Sequence, residues 1–424
     1  MRAEVMADRA SDKPDHLVFV ESNTTGTGML ALSTARDLNL TPVLLTLTPT
    51  RYPGLAETGC MVVECDTSSV VALQAAIRAR FDLQSLAGIM TTSEFYLPVV
   101  AELAEWLGLP GNSSEAVSVC RNKAAVRQAL AKAGLPQPRF ATVTDLDDAA
   151  AAITSIGYPC VVKPVDDSGS NDVLRCTDLP SAVAQVTRVV NTHTNVRQLP
   201  TARTALVEEY LAGPEISVET FGWHGSSHLI GITEKCLTGE PYFVEHRHIF
   251  PADLPPALEA SVCDIVQRAL AEVGLRLGAA HTEVRLTASG PALVEINGRL
   301  AGGMIPELIR LATGIRMLDQ QLRTFAGLRP DLTGRTRRCA GIQFLLAARP
   351  GVLVGVRGTD LAATLPGVEQ VAITARPGAV VRPARNAYDR LGYVLVSADS
   401  QREVAHTLDE ACAALDVVIS SDRP

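Results

Sequence analysis

The sequence predicts an α/β protein of several domains that begins with a parallel sheet. Residues 16–110 alternate short apolar runs with amphipathic stretches, which is the pattern of parallel strands covered by helices. Later apolar runs follow one another with only turn residues between them, as in antiparallel sheets. The length of 424 residues exceeds what one core organises, and 47% hydrophobic with 20% charged residues is a globular composition.

The composition also argues against several classes of partner. A net charge of −8, 4% aromatic residues and the lack of a long basic run disfavour nucleic-acid binding. No window approaches the roughly 18 to 20 apolar residues of a membrane span. The first fifteen residues are polar and mixed in charge, so we expect no signal peptide and a cytoplasmic protein. Nine scattered cysteines without CxxC spacing predict reduced thiols.

The first part of the chain predicts four strands, HLVFVE, PVLLTL, GCMVVEC and LAGIMTT, with helices over 28–38 and 68–80. The loop SNTTGTG follows the first strand and could offer N–H groups to an anion. It lacks GxGxxG, and the second strand ends in Thr46-Leu47-Thr48 without an acid for a ribose. A dinucleotide site is therefore disfavoured.

Two lysines mark the middle of the chain. Lys123 lies within a helix predicted over 112–134, where a solvated lysine is the ordinary interpretation. Lys163 interrupts the apolar strand YPCVVKPV, and a buried ammonium needs a partner, either a phosphate or a carboxylate. The loop 166–172, DDSGSND, follows directly. It is either a plain turn or a cover that closes over phosphates through its N–H groups.

A connection rich in acids comes next. Two apolar strands in TALVEEYLAGPEISVETFG are joined at 211–214, and Glu208, Glu209 and Glu215 flank the joint. These acids are either solvated or, in the case of Glu215, placed to accept from ribose hydroxyls. Residues 235–250 then collect charged side chains, namely Lys235, Glu245, His246, Arg247 and His248. The pair His246-x-His248 lacks a third ligand of suitable spacing, which disfavours zinc.

The stretch His281–Gly303 predicts an antiparallel hairpin with a turn at Ser289-Gly290. Strand alternation puts Leu293, Glu295 and Asn297 on one face. The hairpin would bring Glu283 close to Glu295. Two carboxylates and an amide oxygen suit a hard cation such as Mg²⁺, although solvated charges on a half-exposed hairpin are the alternative.

Taken in order, these features resemble the ATP-grasp superfamily: a helix lysine, a strand lysine, a glycine-containing loop, an acid-flanked connection and a strand pair ending in E-x-N. The phrases HTEVRLT, EINGRLAGGMIPELI and DRLGYV (389–394) resemble the branch of L-amino-acid ligases and related natural-product amide ligases.

The resemblance implies an α/β ATP-grasp fold with five parts. These are a Rossmann-like pre-ATP-grasp domain (1–110), a helical linker (111–140), a lid subdomain (141–205), an antiparallel-sheet catalytic core (206–330) and a C-terminal α+β subdomain (331–424).

The resemblance also implies roles for residues of this sequence. Lys123 and Lys163 would hold ATP phosphates beneath the lid loop with Ser168, Gly169 and Ser170. Glu208, Tyr210, Leu211 and Glu215 match a V-E-K-x-L-x-G-x-E segment that binds adenine and ribose, with Glu209 at its lysine position. Glu283, Glu295 and Asn297 match ligands of Mg²⁺ or Mn²⁺, while Arg299 and His248 match residues near the reacting groups.

The implied activity is ADP-forming ligation of a carboxylic acid to an amine, both small molecules and both expected to be amino acids. The resemblance also suggests a homodimer. Two alternatives stay open here: an ATP-grasp ligase of nucleotide biosynthesis, and a catalytically silent nucleotide-binding regulator. His281 lies on the Glu283 face and has no assigned role.

Overall fold

The structure is a computed structural model that describes residues 15–24 and 27–420. Residues 1–14 of the polar N-terminal stretch lie outside the described residues, as do Thr25 and Gly26 of the SNTTGTG loop. Contacts divide the chain into two compact units. The N-terminal unit runs to Ser114 and includes Gln321–Pro330, and the second unit contains Glu115–Gln320 and the chain from Asp331 onward.

The N-terminal unit contains a parallel sheet, as its alternating apolar runs predict. Its strands are β1 (His16–Val20), β2 (Thr41–Thr46), β3 (Met61–Glu64) and β4 (Leu86–Met90). Its helices are α1 (Thr27–Asp37), α2 (Val70–Arg80) and α3 (Leu97–Leu107). All strand pairs are parallel in the order β3-β2-β1-β4. Covering helices make both faces apolar, which explains the continuous hydrophobic strands.

The helical segment before the next sheet is divided in two. Helix α4 (Ser114–Arg121) ends before Asn122, and α5 (Lys123–Lys132) begins after it. The side chain of Asn122 accepts from the N–H groups of Ala124 and Ala125, so it caps a new helix. The expectation of one helix over 112–134 was therefore wrong, and Lys123 is the first residue of a helix rather than an interior one.

A small antiparallel sheet follows, with strand order β5-β8-β6-β7. Its strands are β5 (Phe140–Val143), β6 (Cys160–Pro164), β7 (Leu174–Cys176) and β8 (Ala205–Glu209), and its helices are α6 (Ala149–Ile156) and α7 (Leu179–Val190). Ile153, Val162 and Val186 belong to its core. The chain enters and leaves this sheet at neighbouring residues, because the N–H of Glu209 donates to the carbonyl of Arg139 at 2.9 Å.

A large antiparallel sheet has the order β13-β12-β9-β10-β11-β14-β18-β16. These strands are β9 (Glu215–Trp223), β10 (Ser226–Thr238), β11 (Val244–Phe250), β12 (Gly278–Thr287), β13 (Gly290–Asn297), β14 (Cys339–Leu345), β16 (Val368–Ile373) and β18 (Gly392–Ala398). Helices α8 (Pro256–Val273) and α9 (Ile305–Thr313) complete this part, and the boundary between the two units falls within α10 (Met317–Phe325). Val266 of α8 and Leu308 of α9 belong to separate core clusters, so two apolar layers hold the strands that carry the site.

The C-terminal part adds a three-stranded sheet in the order β17-β15-β19. It contains β15 (Gly351–Arg357), β17 (Val380–Val381) and β19 (Asp416–Ser420), with α11 (Thr359–Ala363) and α12 (Gln401–Ala413). Val404 and Leu408 of α12 pack against Val394 and Val396 of β18. Among residues 15–24 and 27–420, no helix combines the length and the apolar composition needed to cross a membrane.

Candidate active site

One cavity in the second unit is lined by every site residue that the sequence analysis singled out. Residues of α5, the small sheet, the large sheet and the segment after β13 contribute to it. The predicted residues in its wall are Lys123, Lys163, Ser168, Gly169, Ser170, Glu208, Tyr210, Leu211, Glu215, His248, Glu283, Glu295, Asn297 and Arg299. Positions spread over 177 residues of sequence, from 123 to 299, are thus brought into one place.

A buried carboxylate with two cations forms the small-sheet side of the cavity. Lys163 Nζ lies 2.7 Å from Glu208 Oε2, and Arg127 Nε lies 2.6 Å from Glu208 Oε1. Burial by itself raises the pKa of Glu208, but Arg127 and Lys163 outweigh it and lower that pKa to about 2. Glu208 is therefore ionised at neutral pH and fixes the strand lysine through an ion pair.

Arg127 is a residue that the sequence analysis missed. Only 1% of it is exposed, and its Nη2 donates to the carbonyl of Val294 at 2.6 Å. It connects α5 with both β8 and β13. Because Arg127 stands four positions after Lys123, the two share a helix face, and helical periodicity could have identified it.

The loop 166–172, here called the glycine loop, is held close to the hairpin by Lys123. Lys123 Nζ donates to the carbonyl of Asp167 at 2.6 Å and lies 3.4 Å from Glu295 Oε1. The Asp167 carboxylate accepts from the Ser168 N–H and the Asn171 side chain, both at 2.8 Å. Gly169 has φ +70°, a conformation that glycine adopts without strain. The loop is thus organised by its own hydrogen bonds.

The predicted hairpin is confirmed, with Glu283 opposite Glu295 and His281 opposite Asn297. The predicted placement of Leu293 on the same face as Glu295 and Asn297 was wrong, because the register of the strand pair shifts between Glu283 and Val284. Leu293 is fully buried in the core with Ile296, whereas Val294, Glu295 and Asn297 line the cavity. Such a β-bulge inserts an extra residue into one strand and interrupts the alternation.

The ammonium group of Lys235 lies among three carboxylates. Its Nζ is 2.9 Å from Glu215 Oε1, 2.7 Å from Glu245 Oε1 and 2.5 Å from Glu283 Oε1. Burial opposes the charged form, yet the three acids raise the pKa of Lys235 well above its ordinary value. Within the described residues, Glu215, Glu245 and Glu283 also form the one group of three acidic, histidine or cysteine ligands that could converge on a metal ion.

His281 now has a structural role. Its Nδ1 lies 2.9 Å from Glu219 Oε1, and its Nε2 lies 3.4 Å from Glu283 Oε1. Burial lowers the pKa of His281, but Glu219 and Glu283 outweigh burial and raise it to about 9. The imidazolium form is therefore favoured at neutral pH and neutralises two acids. Glu219 was not identified from the sequence, although it stands four positions after Glu215 along β9, an even spacing that places both on one strand face.

His248 and Arg299 lie towards the other end of the cavity. His248 is 1% exposed, packs edge-on against Phe344, and its Nε2 lies 3.5 Å from Glu245 Oε2. Gly303 approaches it so closely that a Cβ there would be 2.4 Å from His248 Cε1. Arg299 Nη1 donates to the carbonyl of Leu300 at 3.0 Å.

Arg390 of the DRLGYV phrase enters the same end of the cavity. Its Nη2 lies 3.0 Å from Glu245 Oε2, and its guanidinium stacks 3.6 Å above the ring centre of Phe344. The sequence analysis used this phrase only for the family resemblance. The contact shows that the C-terminal part contributes a charged group to the cavity wall.

The connection after β8 forms a more apolar part of the wall. Tyr210 and Leu211 lie here with Val161 and Phe243, and the Tyr210 and Phe243 rings are 6.0 Å apart. The guanidinium of Arg175 lies 4.6 Å from the centre of the Tyr210 ring. Such a slot suits a flat heterocycle.

The arrangement as a whole can bind a polyanion beside a cation. Lys123, Lys163 and the N–H groups of the glycine loop offer positive charge and donors for phosphates. The facing strands offer the oxygen atoms of Glu283, Glu295 and Asn297, which is a donor set that fits a hard divalent cation. Within the cavity, Lys123 is paired with Glu295 and Lys163 with Glu208.

Comparison with known families finds three consecutive matches along the chain. Residues 35–111 match the ATP-grasp N-terminal domain, residues 156–307 match the ATP-grasp domain, and residues 343–420 match the L-amino acid ligase C-terminal domain 2. Among curated relatives, protein y4rH of Sinorhizobium fredii is 31% identical over 97% of this chain and 84% of its own length. The alanine–anticapsin ligase of Bacillus subtilis is 31% identical over 52% of this chain. The chain spans 50% of that ligase's length.

Solved structures give the same result for the fold. The L-amino acid ligase from Bacillus licheniformis superposes with a TM-score of 0.78 at 25% identity and covers 96% of this chain and 99% of its own. A phosphoribosylglycinamide synthetase from Anaerococcus prevotii has a TM-score of 0.71 at 16% identity, which shows a shared fold alone. The chain belongs to the ATP-grasp family, as a carboxylate–amine ligase with the L-amino acid ligase type of C-terminal domain.

Proposed function

We propose that this ligase activates an amino acid carboxylate as an acyl phosphate and transfers it to the amino group of a second amino acid, with release of ADP and phosphate. The observation that carries the proposal is the convergence of both lysines, the glycine loop and the facing acids on one cavity. The relatives named alanine–anticapsin ligase and carnosine synthase support amino acids as the substrate class.

For the nucleotide, we propose that the wall of Tyr210 and Leu211 contacts adenine and that Glu215 accepts from the ribose. Lys123, Lys163 and the glycine loop would bind the phosphates. Glu208 has a further task in this scheme, because its ion pair with Lys163 holds that ammonium at the cavity wall. Phosphoryl transfer depends mainly on positioning and on charge neutralisation, which these groups supply.

ATP and a divalent metal ion are the cofactors of this family, and a biotin carboxylase domain of the same fold has been solved with magnesium ADP. We propose that Glu283, Glu295 and Asn297 hold Mg²⁺ or Mn²⁺. The ion, when bound, would neutralise phosphate oxygens. Lys123 and Lys235 form ion pairs with Glu295 and Glu283 and so keep these carboxylates at the cavity wall.

A free carboxylate is too weak an electrophile to react with an amine, so in this scheme it is first activated by phosphorylation. Its oxygen attacks the γ-phosphorus of ATP, the bond to ADP breaks, and an acyl phosphate forms. The amine then attacks the acyl carbon and inorganic phosphate leaves. Arg299 would offset the charge that develops on the transferred phosphoryl group. His248, which is buried in the cavity wall beside Glu245, would contact the substrate amine or carboxylate.

The organisation of the whole chain remains a proposal as well. We propose the five-part division at residues 110, 140, 205 and 330, with the small sheet as the lid over the phosphates. A closing lid has a physical purpose, because an acyl phosphate hydrolyses in water. We also propose a cytoplasmic homodimer.

The proposal predicts that ATP consumption depends on both substrates. Full-length protein incubated with ATP, magnesium and pooled amino acids should release ADP and phosphate and yield a new amide mass. Omission of amino acids or chelation of the metal should stop the release. ADP production independent of any acid would contradict ligation, and no acid-stimulated turnover at all would favour a regulatory nucleotide-binding protein.

Arg299→Ala tests the proposed transition-state contact. We expect kcat to fall about 10²- to 10³-fold with little change in ATP affinity, because a contact made chiefly in the transition state affects the rate rather than ground-state binding. Steady-state phosphate release and nucleotide titration measure the two quantities. Arg276→Ala, which removes an arginine outside the cavity wall, is the matched control. A loss of ATP affinity as large as the loss of kcat would contradict the assignment.

A further inference from the structure

Two cysteines in the small sheet stand directly opposite each other. Cys160 of β6 pairs with Cys176 of β7 in the antiparallel register. Among the described strand pairings, this is the only one that sets two cysteines against each other. Directly opposed residues in an antiparallel pair have Cα atoms about 4.5 to 5.5 Å apart, within the range of about 4.4 to 6.8 Å that a disulfide requires.

The two thiols also point to the same side of the sheet. Both belong to the core cluster of the small sheet, with 0% of Cys160 and 1% of Cys176 exposed. A hydrogen bond from the Cys176 thiol is the main cause that lowers the pKa of Cys160, and the same contact raises the pKa of Cys176. The opposed register and the shared core cluster therefore place the two side chains side by side, and Cys160 is the more acidic thiol of the pair.

We propose that Cys160 and Cys176 are a redox-active thiol pair that a small-molecule disulfide such as oxidised glutathione converts to a disulfide. The Cys160 thiolate attacks the small disulfide, forms a mixed disulfide and releases one thiol. The Cys176 thiolate then attacks the Cys160 sulfur and releases the second thiol. The protein pair loses two protons and two electrons, which the small disulfide gains.

Access to the buried pair comes from the edge of the sheet. Strand β7 contains three residues and is one of the two edge strands in the order β5-β8-β6-β7, so Cys176 sits on the shortest strand of this sheet. Beyond its pairing with β6, the N–H of Arg175 in β7 donates to the carbonyl of Pro241 at 3.0 Å. Short edge strands open locally at lower free energy than central ones. Opening of β7 would expose both sulfurs without unfolding the remaining sheet.

The position of the pair gives the bond a consequence for the site. The chain between Cys160 and Cys176 contains Lys163 and the whole glycine loop. Cys160 and Val162 face the core, while Val161 and Lys163 line the cavity. A disulfide would thus tie the base of the hairpin that presents the loop to the cavity, and it would do so from the side opposite to the nucleotide.

The sequence permits a direct test by peptide mapping. Trypsin cleaves after Arg139, Arg175 and Arg188 and spares the Lys163–Pro164 bond, so the two cysteines fall on separate peptides, 140–175 and 176–188, with one cysteine each. Full-length protein would be treated with oxidised glutathione, alkylated and digested without reduction. We expect the two peptides to appear joined, and to separate after treatment with dithiothreitol.

Matched variants sharpen the outcome. Cys176→Ala should abolish the joined species and leave glutathione trapped on Cys160, whereas Cys263→Ala on α8 should leave the joined species unchanged. Wild-type protein that keeps its circular dichroism spectrum yet yields only separate alkylated peptides, or mixed disulfides at other cysteines, would overturn the proposal. Peptide mapping of the wild-type protein tests the proposed disulfide even if a variant fails to fold. Its outcome does not depend on the proposed ligase reaction.

Hydrogen exchange gives a second readout on the same sample. The amides of residues 165–174, between the two cysteines, should exchange more slowly in the oxidised protein than in the reduced one. Equal exchange in both forms, despite a mapped disulfide, would show that the bond does not restrain the glycine loop.

Discussion

Glu295→Gln should lower ligase turnover on the order of 10³-fold while the protein keeps its fold. The substitution preserves the size of the side chain but removes the charge that we propose for binding the divalent ion, whose electrostatic contribution to such reactions is several kcal/mol. Glu295 is partly exposed at the cavity wall, with 21% of its side chain accessible, so the fold has little need of its charge. Phosphate release as a function of magnesium concentration is the measurement.

A control for this experiment lies on helix α8. Glu272 is exposed and does not line the cavity, so Glu272→Gln changes the net charge equally without touching the site. We expect wild-type turnover for it. An unchanged rate and magnesium dependence in Glu295→Gln would remove this residue from the set of metal ligands.

Glu208→Gln should destabilise the protein by about 3 kcal/mol at neutral pH, because it leaves Arg127 and Lys163 buried without their shared carboxylate. The pKa of Glu208 falls from 4.5 to about 2 on folding, so between these values the unfolded chain binds more protons than the folded one. The stabilisation is complete above pH 4.5 and is lost as the pH falls towards 2. The stability gap between wild type and variant should therefore narrow on acidification.

The neighbouring residue supplies the control for stability. Glu209 forms an ion pair with Arg139 at 3.2 Å, with 41% of the acid and 63% of the arginine side chain exposed. Glu209→Gln should cost less than about 1 kcal/mol, as is usual for surface ion pairs. Urea unfolding at neutral pH and near pH 3 compares all three proteins. A gap between wild type and Glu208→Gln that does not depend on pH would contradict the assigned ionisation.

Local patterns were enough to predict much of this fold. The four N-terminal strands, the hairpin over 278–297 and the helices at 179–190, 256–273 and 401–413 follow from periodicity and turn residues within each segment. The candidate site residues came from the resemblance to the ATP-grasp superfamily, which the order of lysines, loop and acids along the chain carries.

Other features depend on pairings that no local pattern encodes. Lys235 meets Glu215, Glu245 and Glu283 only because β9, β10, β11 and β12 are adjacent in the large sheet. The partner of Arg127 lies 81 positions away in Glu208. The bulge beside Glu283 interrupts the strand alternation, and the cap at Asn122 divides one predicted helix into two. Strict alternation or periodicity does not anticipate such interruptions.

The small sheet enters and leaves its host at Arg139 and Glu209, whose backbones are hydrogen-bonded to each other. A segment with adjoining ends can be removed or replaced without bridging a gap, which is the geometry of tolerated insertions. The small sheet is therefore a segment whose adjoining ends would allow it to be replaced as a unit. Residues 140–208 can then diverge as one segment, separately from strand β11, which carries Glu245 and His248, and from Arg299 in the segment after β13.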